Sequence, residues 1–227
     1  MTRGVEVVSK MSKGGNDVDD AWQVSGGQPL NPECCSTVAG HGPADFEVTG
    51  DGIDLVIRRV WSMPSADTFS IKPIRELLDR WLVGCNEVVD PFARNTKRGT
   101  WTNDLDVSTD AQFHLDAIEF LDMLLDRGLA ETFDAALLDP PYSPRQCSES
   151  YKNAGRKVGM RETQIARIYA ECKDRMTRLL KPRGVAITCG WNSMGFGLNR
   201  GFQMHEILLV ACGGAHHDYL VTVETRK

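Results

Sequence analysis

At 227 residues the chain is long enough for one domain with a sizeable core and short for two. Hydrophobic residues make up 41% and charged ones 25%, near the soluble globular average, which excludes a wholly disordered, collagen-like or low-complexity chain. The net charge of −5 hides an uneven spread: Ser143 to Arg183 carries 11 Lys or Arg against 4 Asp or Glu, a local +7, and the remainder stands at −12.

The first 52 residues hold nine of the 21 glycines among Ser, Asn, Asp and Pro, with no sustained apolar period, and read as a flexible N-terminal extension (1–52) to a domain over 53–227. Ile53, Leu55 and Ile57 alternate before Val60 and Trp61, as in a short strand. A helix follows: Ser70 can cap it, Pro73 suits its first turn, and Ile71, Ile74, Leu77, Leu78, Trp81 and Leu82 share one face until Gly84. Short strands are then expected at Glu87 to Pro91, Thr100 to Asp104 and Gln112 to Leu115, a helix over Ala117 to Arg127, and a buried strand at Phe133 to Asp139. A polar, basic loop leads to a helix over Glu162 to Leu180, ended by Lys181-Pro182-Arg183-Gly184. Gly184 to Gly190 is the next strand. Phe202 to Ala211 and Asp218 to Thr225, joined by a Gly-rich turn, read as an antiparallel hairpin. The fold class is therefore α/β, a mostly parallel sheet closed by a C-terminal antiparallel hairpin, with ligands expected at the carboxyl ends of the strands.

The longest apolar run, Ile207 to Cys212, is six residues where a membrane-spanning helix needs about 20, and the first residues lack a signal-peptide core, so no membrane partner and a cytoplasmic location are expected. The seven cysteines include no C-x-x-C pair, which argues against a disulfide framework and a structural zinc site and reads as reduced thiols. His216 and His217 are neighbours on a turn and rarely converge on one ion, so no metal is expected.

Asp139-Pro140-Pro141-Tyr142 directly follows the apolar run Ala135 to Leu138, at the carboxyl end of a buried strand. Such a tetrapeptide arises by chance in roughly one chain of this length in a hundred. It resembles the catalytic motif of the S-adenosylmethionine-dependent amino-methyltransferases that methylate exocyclic amines of DNA bases. That resemblance implies a Rossmann-like methyltransferase sheet and explains the residue types. An exocyclic amine is a poor nucleophile because its lone pair is delocalised; the Asp139 carboxylate and the Pro140 carbonyl would accept its hydrogens. Two prolines remove competing donors and fix direction, and Tyr142 would stack on a base taken out of the duplex.

Over about Ile53 to Arg226 the flanking sequence resembles the same family. Phe69-Ser70 before a helix resembles its N-terminal cofactor motif, and Asp90-Pro91-Phe92 its first-strand motif, which holds the methionine part of the cofactor. Asp104 implies a carboxylate for the ribose hydroxyls, Asp116 an acceptor for the adenine amine. The family pattern continues after Asp-Pro-Phe with Ala-Gly-x-Gly, whereas here Ala93-Arg94-Asn95-Thr96-Lys97-Arg98-Gly99 stands, with Asn95 able to adopt the left-handed backbone of one missing glycine. This variant, with Asp-Pro-Pro-Tyr-Ser-Pro-Arg-Gln and a late Gly-Trp-Asn-Ser, is similar to small phage and prophage adenine DNA methylases. The resemblance implies DNA as partner, its phosphates met by Arg145, Lys152, Arg156, Lys157 and Arg161. Trp191-Asn192-Ser193 could line the base or cofactor pocket. No segment has the length of the family's usual target-recognition insert, so specificity is short, loose, or supplied by a separate partner or a homodimer. RNA bases or a protein glutamine amide are the alternative substrates, and a non-catalytic nucleic-acid-binding module the alternative of another class.

Overall fold

Among the residues that the computed structural model describes (45–50, 53–156, 159, 164–213 and 217–227), the apolar runs assemble into one eight-stranded sheet. In chain order the strands are β1 (Asp45–Gly50), β2 (Ile53–Trp61), β3 (Val88–Asp90), β4 (Trp101–Thr102), β5 (Phe133–Leu138), β6 (Leu180–Gly190), β7 (Phe202–Ala211) and β8 (Tyr219–Arg226). Their spatial order is β1-β2-β7-β8-β6-β5-β3-β4. Strands β2, β7, β6, β5, β3 and β4 all run the same way, while β1 and β8 oppose them. The fold is thus the expected Rossmann-like α/β sheet, mostly parallel with an antiparallel hairpin of β7 and β8, although the hairpin lies inside the sheet, with β2 and β1 beyond it, rather than closing an edge.

Helices cover both faces because the strands alternate their side chains between two cores. Helix α1 (Lys72–Trp81) buries Ile74, Leu77, Leu78 and Trp81 against Ala135 and Leu137 of β5, Val185 and Ile187 of β6, and Val221 and Val223 of β8. On the opposite face, α2 (Ala117–Asp126) and α4 (Ile165–Leu179) bury Phe120, Leu121, Leu124, Cys172 and Met176 over Ala136, Leu138 and Ala186. Truncating a fully buried residue such as Leu77 to Ala would cost about 2–5 kcal/mol. A register shift between Phe133 and Ala135 lets Phe133 join the α2–α4 core although it shares parity with Ala135. A second shift, between Met204 and Glu206, turns Glu206 toward α1, where it accepts hydrogen bonds from Arg80 Nη2 and Trp81 Nε1, both at 2.7 Å.

Three boundaries differ from the sequence reading. Strand β1 precedes Ile53 and pairs antiparallel with β2, so regular structure begins inside the segment read as a flexible extension; residues 1–44 and 51–52 lie outside the described ones. The basic stretch after Tyr142 is not a loop throughout: Pro144–Asn153 form helix α3. Ser143 Oγ caps it by accepting from Gln146 N at 3.1 Å, Pro144 opens it, and Arg145 pairs with Glu149 one turn on. Only Cys147 is buried, too narrow an apolar stripe to show as a period. Gln112 to Leu115 contributes a single parallel bridge, Asn103 to Phe113, rather than a strand. No helix among the described residues is long and apolar enough to cross a membrane.

Candidate active site

The carboxyl ends of β3, β4 and β5 bring three acids together. Asp90 ends β3, Asp104 follows β4 and Asp139 follows β5. A fourth, Asp67, comes from the segment between β2 and α1; its charge acts on both Asp90 and Asp139, as those of Asp139 and Asp104 act on Asp90.

Asp90 is fully buried. Its Oδ1 accepts from Phe92 N at 3.1 Å, while Oδ2 has no hydrogen-bond partner. Burial pushes its carboxyl well above the usual carboxylate range, the Phe92 N–H opposing and the neighbouring acids adding to the rise. The chain reaches this density of acids through a close approach. A Cβ on Gly99 would lie 2.9 Å from Asp90 Cβ and 3.2 Å from Thr102 Cγ2, so no larger residue fits without movement. Gly99 therefore backs Asp90, several residues later than the glycines of the family pattern would be sought. The left-handed residue of the loop is Arg94 (φ 50), not Asn95 as the sequence suggests; Asn95 instead accepts from Asp110 N at 3.0 Å through Oδ1.

Asp139 is half-buried, with Pro140 buried behind it. Burial raises its carboxyl pKa, the hydroxyls of Tyr142 and Thr68 pull it back by donating to the carboxylate, Asp67 raises it and Arg94 lowers it. The Tyr142 hydroxyl donates to Asp139 Oδ1, its ring rests against the α1-side core, and Gln146 Oε1 accepts its backbone N–H at 2.8 Å. Tyr142 and Tyr169 both have hydroxyls pushed upward by burial, with Asp139 adding to the rise, so both are neutral donors.

The remaining sequence candidates divide. Asp104 accepts from Arg94 N at 3.0 Å and Asp106 N at 2.9 Å, and burial raises its carboxyl. Its neighbour Asn103 is fully buried and laces the site: Nδ2 donates to the carbonyls of Pro91 (3.1 Å) and Leu115 (3.0 Å), and Oδ1 accepts from Leu115 N at 2.9 Å. Asp116 caps α2, accepting from Ile118 N at 2.9 Å in a capping box with Glu119, and its other oxygen takes the Tyr151 hydroxyl. Phe69 is buried in the α1-side core; Ser70 Oγ donates to the Asp67 carbonyl at 2.7 Å, fixing the turn that presents Thr68 to Asp139. Phe92 is half-buried beside the α2–α4 core. Thr68 and Asp67 are site residues that the sequence reading passed over; they immediately precede the Phe69-Ser70 pair that it singled out.

The basic stretch is largely spoken for within the chain. Arg145 pairs with Glu149, Arg156 with Glu119 at 3.1 Å, Arg175 with Asp122 at 2.7 Å, and Lys181 with Asp134. Lys152 is exposed at the end of α3. Lys157, Arg161 and His216 lie outside the described residues, and His217 is exposed. Among the described residues no group of three His, Cys, Asp or Glu side chains could hold a metal ion, and the five described cysteines are free.

Trp191 is 60% exposed at the carboxyl end of β6, where a loop to residue 200 is pinned from beneath. Glu224, 1% exposed, accepts from Phe196 N and from Gly197 N (2.9 Å), and the buried Lys173 ammonium donates to the Gly195 carbonyl. Gly195 has φ +53, and a Cβ there would sit 2.1 Å from Glu224 Oε2. A separate depression of about 480 Å³, lined by Asn86, Glu87, Thr100, Trp101, Gln112 and Phe113, lies at the amino ends of β3 and β4, away from the acids.

No protein-family profile and no curated protein matches the chain. Among solved structures it is similar to the 1,6-didemethyltoxoflavin-N1-methyltransferase of Burkholderia thailandensis, solved with bound 1,6-didemethyltoxoflavin and S-adenosylhomocysteine. That match has 12% identity and a TM-score of 0.33, over 74% of this chain and 71% of the other. The strand order and directions by themselves define the fold.

Proposed function

We propose that the chain is an S-adenosylmethionine-dependent methyltransferase whose substrate is the N6 exocyclic amine of adenine in DNA. The observation that carries the reading is the Asp139 carboxylate at the carboxyl end of β5, braced by the hydroxyls of Tyr142 and Thr68 and set beside the orphaned Asp90 oxygen. The donor set fits that cofactor. A fully buried carboxylate oxygen with no partner calls for a cationic hydrogen-bond donor, and the cofactor's α-ammonium would bring three N–H donors and a positive charge, its sulfonium a second charge, to a place where several acids repel each other. When bound, the cofactor supplies an electrophilic methyl group on positively charged sulfur.

The chain's own part is positioning and proton handling. Asp139 accepts a hydrogen of the amine, returning density to nitrogen as the N–C bond forms and the C–S bond breaks, and the same carboxylate is placed to take the proton that the methylated nitrogen sheds. Its raised pKa suits that task. The Tyr142 and Thr68 hydroxyls hold the carboxylate in one orientation. The Pro140 carbonyl offers a second acceptor, and neither proline brings a competing N–H. Asp104 and Asp116 belong to the reading as contacts to the nucleoside end of the cofactor, and Lys152 with Arg145, Arg156, Lys157 and Arg161 as contacts to phosphate.

The test incubates the chain with methyl-labelled cofactor and duplex DNA, single-stranded DNA, RNA or a protein acceptor in turn, and identifies the methylated atom. Label on adenine N6 of DNA supports the reading. Label on an RNA base or a glutamine amide moves it to another substrate, and no cofactor binding at all replaces the enzyme by a nucleic-acid-binding module.

A further inference from the structure

Arg94 holds a conformation that side chains other than glycine rarely adopt, φ 50, in a loop where smaller residues would pass more easily. What it gains there is a bridging position. Its N–H donates to Asp104 Oδ2 at 3.0 Å, and its guanidinium Nη1 donates to the carbonyl of Ala66, across the site from its own loop. Ala66 adjoins Asp67 and Thr68, and Thr68 bonds Asp139. The guanidinium is a cation whose charge both Asp104 and Asp139 feel, and the side chain as a whole is exposed. A guanidinium carries five N–H donors in a fixed fork, so the bond to Ala66 leaves a second edge able to meet a planar anion.

The acid cluster thus holds a buried carboxylate oxygen with no partner, Asp90 Oδ2, and within reach of its other members, Asp104 and Asp139, an exposed guanidinium. An orphaned acid and an arginine at the same end of a sheet form the charge complement of an α-amino acid: ammonium to the acid, carboxylate to the fork. We propose that Arg94 is the binding residue for the α-carboxylate of the cofactor's amino-acid end, with Asp90, at the same end of the sheet, as the receiver of its α-ammonium. The assignment rests on the methyltransferase reading and adds to it a ligand-binding role for the loop residues that replace the family's glycines. It also explains why the left-handed position is held by an arginine. A glycine there would have an easier backbone and no charge.

Binding rather than turnover tests it, by calorimetric titration of the full chain with two nucleosides. S-Adenosylhomocysteine carries the amino-acid end, and 5′-methylthioadenosine lacks it. Arg94→Gln should lower affinity for the first by about tenfold or more, the scale of a charge-assisted hydrogen bond, and leave affinity for the second within about twofold. Arg94→Gly should lose the same affinity while melting at an equal or higher temperature than the parent, because it relieves the left-handed backbone; that pairing separates removal of a carboxylate-binding group from damage to the fold. Equal losses for both nucleosides would make Arg94 a loop-shaping residue, and an unchanged affinity for S-adenosylhomocysteine would remove it from the site; either overturns the assignment while leaving the methyltransferase reading in place. A parent chain that binds neither nucleoside overturns both.

Discussion

Replacing Asp90 by Asn should make the ligand-free protein more stable and a worse binder, and the two effects have one cause. The side chain is fully buried, with a single N–H on one oxygen and nothing on the other, and Asp139, Asp104 and Asp67 all oppose its charge. Asn keeps the shape and the acceptor for Phe92 N, removes the charge, and puts an amide donor among carboxylates. Relief of one buried, unsatisfied group is worth about 1–3 kcal/mol, which in a domain of this size raises Tm by about 2–12 °C near neutral pH. The gain must depend on pH. Because the folded-state pKa of Asp90 lies above the unfolded value of 3.8, the stability tied to this group is fully present below pH 3.8 and is lost as pH rises through the folded value. Asn does not titrate, so the gap between variant and parent should be small at about pH 4 and widen toward neutrality. Thermal unfolding of both proteins across that range reads it. A variant that melts below the parent at neutral pH, or a gap that ignores pH, would show that Asp90 carries no unrelieved charge.

Asp139→Asn should lower single-turnover methylation by about 10² or more while affinity for S-adenosylhomocysteine stays within a few-fold, and a parental rate would sink the site assignment. The parent's rate should fall on the acid side as protons fill the raised Asp139 carboxylate, with the midpoint above the ordinary aspartate value; a profile that stays flat through the acid range would count against its role as acceptor. Gly195→Ala places a Cβ 2.1 Å from Glu224 Oε2 in a left-handed backbone, and should cost about 3–5 kcal/mol in urea unfolding through the strained residue and the displaced carboxylate. A cost under about 1 kcal/mol would mean that the loop above Glu224 is not held by it. Neutralising Arg145 and Lys152 together should make the salt dependence of DNA binding shallower, by roughly one unit for each phosphate no longer neutralised; an unchanged slope would leave Arg145 to its pair with Glu149.

The sheet was largely legible because its strands are buried on both faces and advertise themselves as apolar runs: Phe133 to Asp139 and Phe202 to Ala211 are strands to within a residue. Helix α1 was legible from six apolar residues on one face, whereas α3 was not, since a helix with only Cys147 buried has no period to read and is specified by Ser143, Pro144 and the Arg145–Glu149 pair. Asp90, Asp104 and Asp139 could be placed because acids directly after apolar runs must lie at strand ends. What they do to one another could not: the orphaned Asp90 oxygen and the Thr68 hydroxyl on Asp139 come from segments 22 or more residues apart in sequence, and such meetings leave no local signal. Asn95 and Arg94 show the same limit on a smaller scale. Intrinsic tolerance favoured the asparagine, and the bonds from Arg94 to Asp104 and Ala66 decided otherwise.

The place of β8 in the sheet has a consequence for how this chain is made. Strands β1, β2 and β7 form one block and β6, β5, β3 and β4 another, and within the sheet the two blocks touch only through β8, which pairs with β7 over eight positions and with β6 over six. Synthesis runs from the amino end, so every other strand leaves the ribosome before the one that joins them. Until Tyr219–Arg226 arrives, the nascent protein presents two unfinished sheet edges rich in Val, Ile and Leu, the kind of surface that chaperones hold and that aggregates form from. A ribosome stalled just before β8 would therefore display seven of the eight strands in a sheet still unjoined, and loss of those eight residues should be far more damaging than their share of the sequence suggests.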